Sequence, residues 1–188
     1  MTRYSMSRRA VTFGALGLIA MTAACGNGVG NENARALDAR VNAALDEMYG
    51  RYPNTRDIAN SASGMLVMPL MTEAGFWLGG GYGRGALISK GETLDYYSAI
   101  QGSAGLQAGA QQYSYVVFFM TDEALNTFRT SNGWEAAADA GATLVDEGAS
   151  FKATSATLSS PVLLAVFGQA GAFAGATVEG IKYTRIIP

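Results

Sequence analysis

The chain has 188 residues, of which 49% are hydrophobic, and a formal net charge of −2 with 13 basic and 15 acidic side chains. This balance does not fit general nucleic-acid binding, which relies on a basic surface. Histidine is absent and cysteine occurs once, so Ser-His-Asp and Cys-His catalysis and an intrachain disulfide are excluded, and a zinc site would need carboxylates alone.

The first segment reads as an export signal, with Arg3, Arg8 and Arg9 ahead of an apolar stretch at residues 11–24. That stretch is shorter than the roughly 20 residues a membrane-spanning helix needs. Ser7-Arg8-Arg9-Ala10-Val11 also looks like a twin-arginine signal, which leaves the export route open. The small residues directly before Cys25 resemble the lipobox of bacterial lipoproteins, where the thiol is acylated and becomes the new N-terminus. An ordinary signal peptide with an incidental Cys25 is the alternative. Gly26 after the cysteine favours the outer membrane, with the domain facing the periplasm. The expected organisation is a signal peptide at 1–24, an acylated N-terminus and tether at 25–33, and one domain at 34–188. Removing the leader takes three arginines and no acid with it, which moves the charge to −5.

Ala34, Leu37, Val41, Ala44, Leu45 and Met48 recur at spacings of three and four and predict an amphipathic helix, capped by Asn33 and ended by Gly50. Arg35 and Arg40 lie off the stripe. The stripe is read first as packing on a core, with membrane-surface binding as the alternative. A short helix is expected at 55–63, followed by an extended run at 64–69.

Five glycines then crowd the segment Trp77-Leu78-Gly79-Gly80-Gly81-Tyr82-Gly83-Arg84-Gly85. Strand parity puts Phe76, Leu78, Tyr82 and Arg84 on one face and Gly79, Gly81, Gly83 and Gly85 on the other. A phosphate loop would open a helix and carry a Gly-Lys-Ser/Thr sequence, whereas here the apolar run Ala86-Leu87-Ile88 follows. The segment is therefore expected to be a strand that another part of the chain approaches closely, or one that curves sharply.

Strands are predicted at 96–100, 104–110, 113–120, 142–145, 162–167 and 173–187, and a helix at 121–131 with Thr121 as its N-cap. The small-residue pattern recurs at 105–109 and 171–175. The expected fold is α+β and mainly β, a rolled antiparallel sheet or partial barrel with a few flanking helices. Asp139, Asp146 and Glu147 offer a conceivable cation site without calcium-loop spacing. Asp122, Asp139, Glu147 and Glu179 offer a carboxylate pair for hydrolysis that no spacing supports. No cofactor is implied.

Taken in order, Gly64-Met65-Leu66-Val67-Met68-Pro69, the run to Gly85, Gly105-x-Gln107-x-Gly109, Phe118-Phe119-Met120-Thr121, Gly133-Trp134-Glu135 and Val178-Glu179-Gly180 resemble the SYLF lipid-binding family, in its exported bacterial branch. The resemblance covers residues 57–187 and implies a non-enzymatic domain that associates with membrane phospholipid. Ala170 stands where the family pattern leads one to expect a basic residue, which leaves Arg35, Arg40, Lys182 and Arg185 as basic lipid-contacting candidates, with Leu37 and Val41 on the helix stripe. Phosphoinositide specificity does not carry over. The alternative is a structural or protein-interaction module of the envelope, whose acyl chains alone attach it to the membrane.

Overall fold

The first helix, α1 (Glu32–Arg51), starts where Asn31 accepts a 2.7 Å hydrogen bond from the Ala34 amide. The cap is thus Asn31 and not Asn33, which lies within the first turn, and the helix runs one residue past Gly50. All six residues of the apolar stripe are buried. A computed structural model describes residues 28–131, 133–134, 143–145, 160–171 and 180–188, and the expected signal peptide and Cys25 lie outside them. After α2 (Thr55–Ser61), two long strands follow: β1 (Gly64–Ser89) and β2 (Glu92–Phe119). Sequence patterning divides these into shorter pieces because glycines interrupt the apolar alternation, yet the ladder between them runs from Gly64 opposite Phe119 to Ser89 opposite Glu92. The link is a two-residue turn in which Lys90 and Gly91 both have positive φ, 52° and 81°, as tight hairpins require.

Helix α3 (Asp122–Thr130) is capped by Thr121, whose hydroxyl accepts from the Ala124 amide at 3.2 Å. Strands β3 (Thr143–Val145), β4 (Val162–Gly171) and β5 (Ile181–Ile186) complete the described elements. The strand order is β1-β2-β4-β3, and β5 pairs with the half of β2 nearer the turn. The sheet is mainly antiparallel, as the patterning predicts, and open, and β3 runs parallel to β4.

The hairpin folds back on itself. A Cβ placed on Gly85 would collide with the Val67 carbonyl oxygen, and one on Gly83 would lie 2.7 Å from the Leu70 carbonyl oxygen. Gly81 instead faces side chains, where a Cβ would lie 2.8 Å from Glu73 Cγ and 3.3 Å from Met71 Cε. Glycine at 83 and 85 is what lets the second half of β1 pack across its first half, so the close-approach reading of the run holds. Where the first half bends, Pro69 and Leu70 interrupt the register between Met68 and Met71. A proline has no amide proton to give the ladder, so a bulge is a place it can occupy.

Each face of the sheet has its own core. Under α1 and α2 the packing is mainly aliphatic, with Val67, Ala86, Val116, Leu163 and Ala165 beneath Leu37, Val41 and Met48. Toward α3 it is aromatic: Phe128 stacks 4.6 Å from Tyr97 and 4.8 Å from Phe119, and meets Trp134 edge-on at 5.2 Å. That face also carries polar groups. Tyr113 places its hydroxyl 2.6 Å from Glu73 Oε1, and the Gln111 amide donates to Glu73 Oε2. The buried hydroxyls of Tyr115 and Tyr183 have each other as neighbours, and the buried Trp134 indole N–H has no hydrogen-bond partner among the described residues.

Candidate functional site

Strand β5 sits at the edge of the sheet beside the C-terminal turn of α3, and the two elements bring three cations together. Arg129 ends α3, while Lys182 and Arg185 come from β5. They border a cleft of about 360 Å³ whose other lining residues are Tyr97, Ser131, Gly133, Tyr183 and Thr184. Gly133 has φ of +83°, and a Cβ there would come within 2.5 Å of Lys182 Cε, so the lysine stem lies directly across the glycine. Glycine is favoured at this point by its backbone angle, while the end of the lysine side chain could move aside.

A single buried carboxylate organises the arginines. Asp95 is only 4% exposed, and its Oδ2 lies 3.5 Å from Arg185 and 3.7 Å from Arg129. Arg185 also donates to the Arg129 carbonyl at 3.1 Å, satisfying a backbone oxygen of the last helical turn, and contacts the Tyr97 hydroxyl at 3.4 Å. The Tyr97 contact, outweighing partial burial, holds the Arg185 guanidinium above its ordinary pKa. Burial raises the Tyr97 hydroxyl, with the adjacent arginines opposing it. Both arginine side chains remain open to water, at 40% and 49% exposure, and their ion pairs are long. Among the described residues three cations face one carboxylate here, an excess of positive charge that can meet an anion at the surface.

The other sequence candidates lie elsewhere. Leu37 and Val41 are core residues, 7% and 1% exposed, so the sheet covers them and not a lipid. The same three-and-four spacing fits either environment, and here the apolar face of β1, β2 and β4 takes it. Arg35 and Arg40 are exposed on the outer side of α1. Arg40 joins Arg84, Asn33, Ala36, Leu37 and Pro188 around a second cleft of about 210 Å³ at the foot of that helix. Asp122 is exposed in the first turn of α3, where a carboxylate complements the helix dipole. Asp139, Asp146, Glu147 and Glu179 lie outside the described residues. Sequence reasoning missed Arg129 and Asp95. A lone acid inside Leu94-Asp95-Tyr96-Tyr97 was the available signal, since a carboxylate in an apolar strand needs a cationic partner.

Residues 100–185 match the family model Ysc84, described as Las17-binding protein actin regulator. This match is consistent with the SYLF-domain family that the sequence motifs resemble. No curated protein matches the chain. The matched part begins at 100, later than the motif resemblance drawn from residue 57, and leaves α1, α2 and β1 outside. It contains Arg129, Lys182 and Arg185, and so all three cations of the cleft.

Proposed function

We propose that this SYLF-like domain is a non-enzymatic module of the bacterial cell envelope that associates with anionic lipid, and that the cleft between α3 and β5 receives the headgroup. The observation that carries this reading is the convergence of Arg129, Lys182 and Arg185 on one open cleft in a chain whose overall charge is negative. Basic groups next to an anionic bilayer contribute about 1 kcal/mol each. The Arg8-Arg9 leader and the small residues before Cys25 support export and acylation, and hence an outer-membrane lipoprotein facing the periplasm. Las17 binding and actin regulation are said of the family as described, and an exported chain has no evident use for them.

The test is flotation of the intact chain with phosphatidylcholine vesicles, with and without phosphatidylglycerol. Binding should require the anionic lipid, weaken with salt, and fall about fivefold in Lys182→Gln, as loss of one near-surface charge implies. Equal recovery with neutral and anionic vesicles would contradict a cationic headgroup site. Absence of vesicle binding altogether would leave the acyl chains as the only attachment and favour the envelope interaction module.

A further inference from the structure

Helix α1 covers only part of its face of the sheet. Successive rows across β1, β2 and β5 run Ala86-Tyr96-Ile186, Arg84-Ser98-Thr184 and Tyr82-Ile100-Lys182, each residue being the registered partner of its neighbour. Residues opposite one another in such ladders stand on the same face with Cβ atoms about 5 Å apart. Tyr96 in the first row is buried beneath α1, and its hydroxyl bonds Asp38 of that helix. Coverage ends one row later. Tyr82 is 52% exposed and Ile100 57%, side by side, with Lys182 completing their row. Beyond them come Gly80 and Gly102, also paired and exposed, so no side chain stands up at the next pair of positions.

We infer that this uncovered row, Tyr82-Ile100-Lys182 with Arg84 and Arg40 along its border, is a membrane-docking face that seats Tyr82 and Ile100 in the interfacial layer of an anionic bilayer. The chemistry selects the occupant. A tyrosine offers an apolar ring with a wet hydroxyl, suited to the headgroup level, and an adjacent isoleucine adds purely apolar area. Lysine and arginine stems lie along such surfaces while their charged ends reach phosphate. Among the described residues neither Arg84 nor Lys182 forms an ion pair, and the adjacent row adds only the neutral Ser98 and Thr184 beside Arg84. A second copy of this face would set Arg84 and Lys182 against their own counterparts, which disfavours self-pairing. Lys182 also borders the α3 cleft, so headgroup binding and apolar seating share an edge of the domain. The inference rests on the lipid reading above, and adds to it the surface that enters the bilayer.

The experiment uses the intact chain carrying Cys25→Ser, with a nitroxide label at Ile100→Cys or, as a control on the outer side of α3, at Asn126→Cys. On phosphatidylglycerol-containing vesicles the label at 100 should gain oxygen accessibility and lose accessibility to a water-soluble nickel reagent, while the label at 126 stays aqueous. In parallel, Tyr82→Ser with Ile100→Ser should lower vesicle partitioning about tenfold or more, with an unchanged circular dichroism spectrum and melting transition. A floating chain whose label at 100 remains as aqueous as that at 126 overturns the docking face and leaves the cleft intact. Failure of the unsubstituted chain to float overturns the lipid reading itself. Self-association abolished by the double substitution, without flotation, would assign the row to a second copy and overturn the proposal.

Discussion

Along residues 80–85, one face of β1 is three glycines, Gly81, Gly83 and Gly85, and the other carries Gly80 with Tyr82 and Arg84, and the glycines of the two faces differ in what stands opposite them. On the inner face, Gly81, Gly83 and Gly85 meet the first half of the same strand, and a methyl at 83 or 85 would strike a backbone carbonyl oxygen. On the outer face, Gly80 and its partner Gly102 look onto open space, where a Cβ at 102 would meet nothing within 4 Å. The same residue type therefore does two different things. Inside, the missing side chain lets the hairpin fold over itself. Outside, it leaves Tyr82 and Ile100 standing above a low floor.

The contrast is sharpest at Gly85. Gly85→Val puts a branched side chain into the Val67 backbone, where no rotamer gives relief, and should destabilise the domain by about 3 kcal/mol or more, read as loss of the cooperative thermal transition. Nearly as large is Val41→Asp, which places a carboxylate under the covered part of the outer face, where the side chain is 1% exposed. It should cost about 3 kcal/mol in denaturant unfolding. An unchanged midpoint would mean that α1 does not pack on the sheet as described.

Smaller effects separate structure from binding at the cleft. Arg185→Gln removes an arginine partner of the buried Asp95 and a donor to the end of α3, and should lower stability by about 1–2 kcal/mol. Lys182→Gln should leave the melting temperature unchanged while weakening vesicle binding. Raising the pH tests the covered row. Burial, reinforced by the Asp38 carboxylate, pushes the Tyr96 hydroxyl up to about 12. Because the unfolded phenol ionises near pH 10 and the folded one does not, the stabilisation is complete below about pH 10 and is lost as pH rises toward 12. Tyrosinate absorbance followed alongside unfolding should show ionisation lagging in the folded state. At the bottom of the scale, Gly102→Ala should change stability by no more than about 0.5 kcal/mol, because the added methyl meets only solvent.

Much of this architecture was legible in the chain. The α1 stripe, the Thr121 cap and the bare face of the glycine run all follow from local periodicity, which depends on a few neighbouring residues. The length of β1 and β2 did not, since glycine breaks the alternation that marks a strand while the ladder continues through it. The Lys90-Gly91 turn lacks the Asn-Gly or Asp-Gly signature, yet adopts the same two positive angles. Lys182 and Arg185 stand out as basic residues in a short strand, but the cleft they form does not. It exists because β5 pairs with the turn-proximal half of β2 and thereby meets Arg129 and Asp95, contacts between parts of the chain distant in sequence. The destination of the α1 stripe was equally a tertiary matter, decided by the apolar sheet face beneath it.

The most direct measurement is two-dimensional amide NMR of the chain titrated with a soluble short-chain phosphatidylglycerol. Headgroup binding in the cleft predicts saturable shifts centred on Arg129, Ser131, Gly133 and Lys182–Arg185, abolished at high salt and reduced in Lys182→Gln. Shifts confined to the outer side of α1 around Arg35, with the α3–β5 cleft unmoved, would contradict the account.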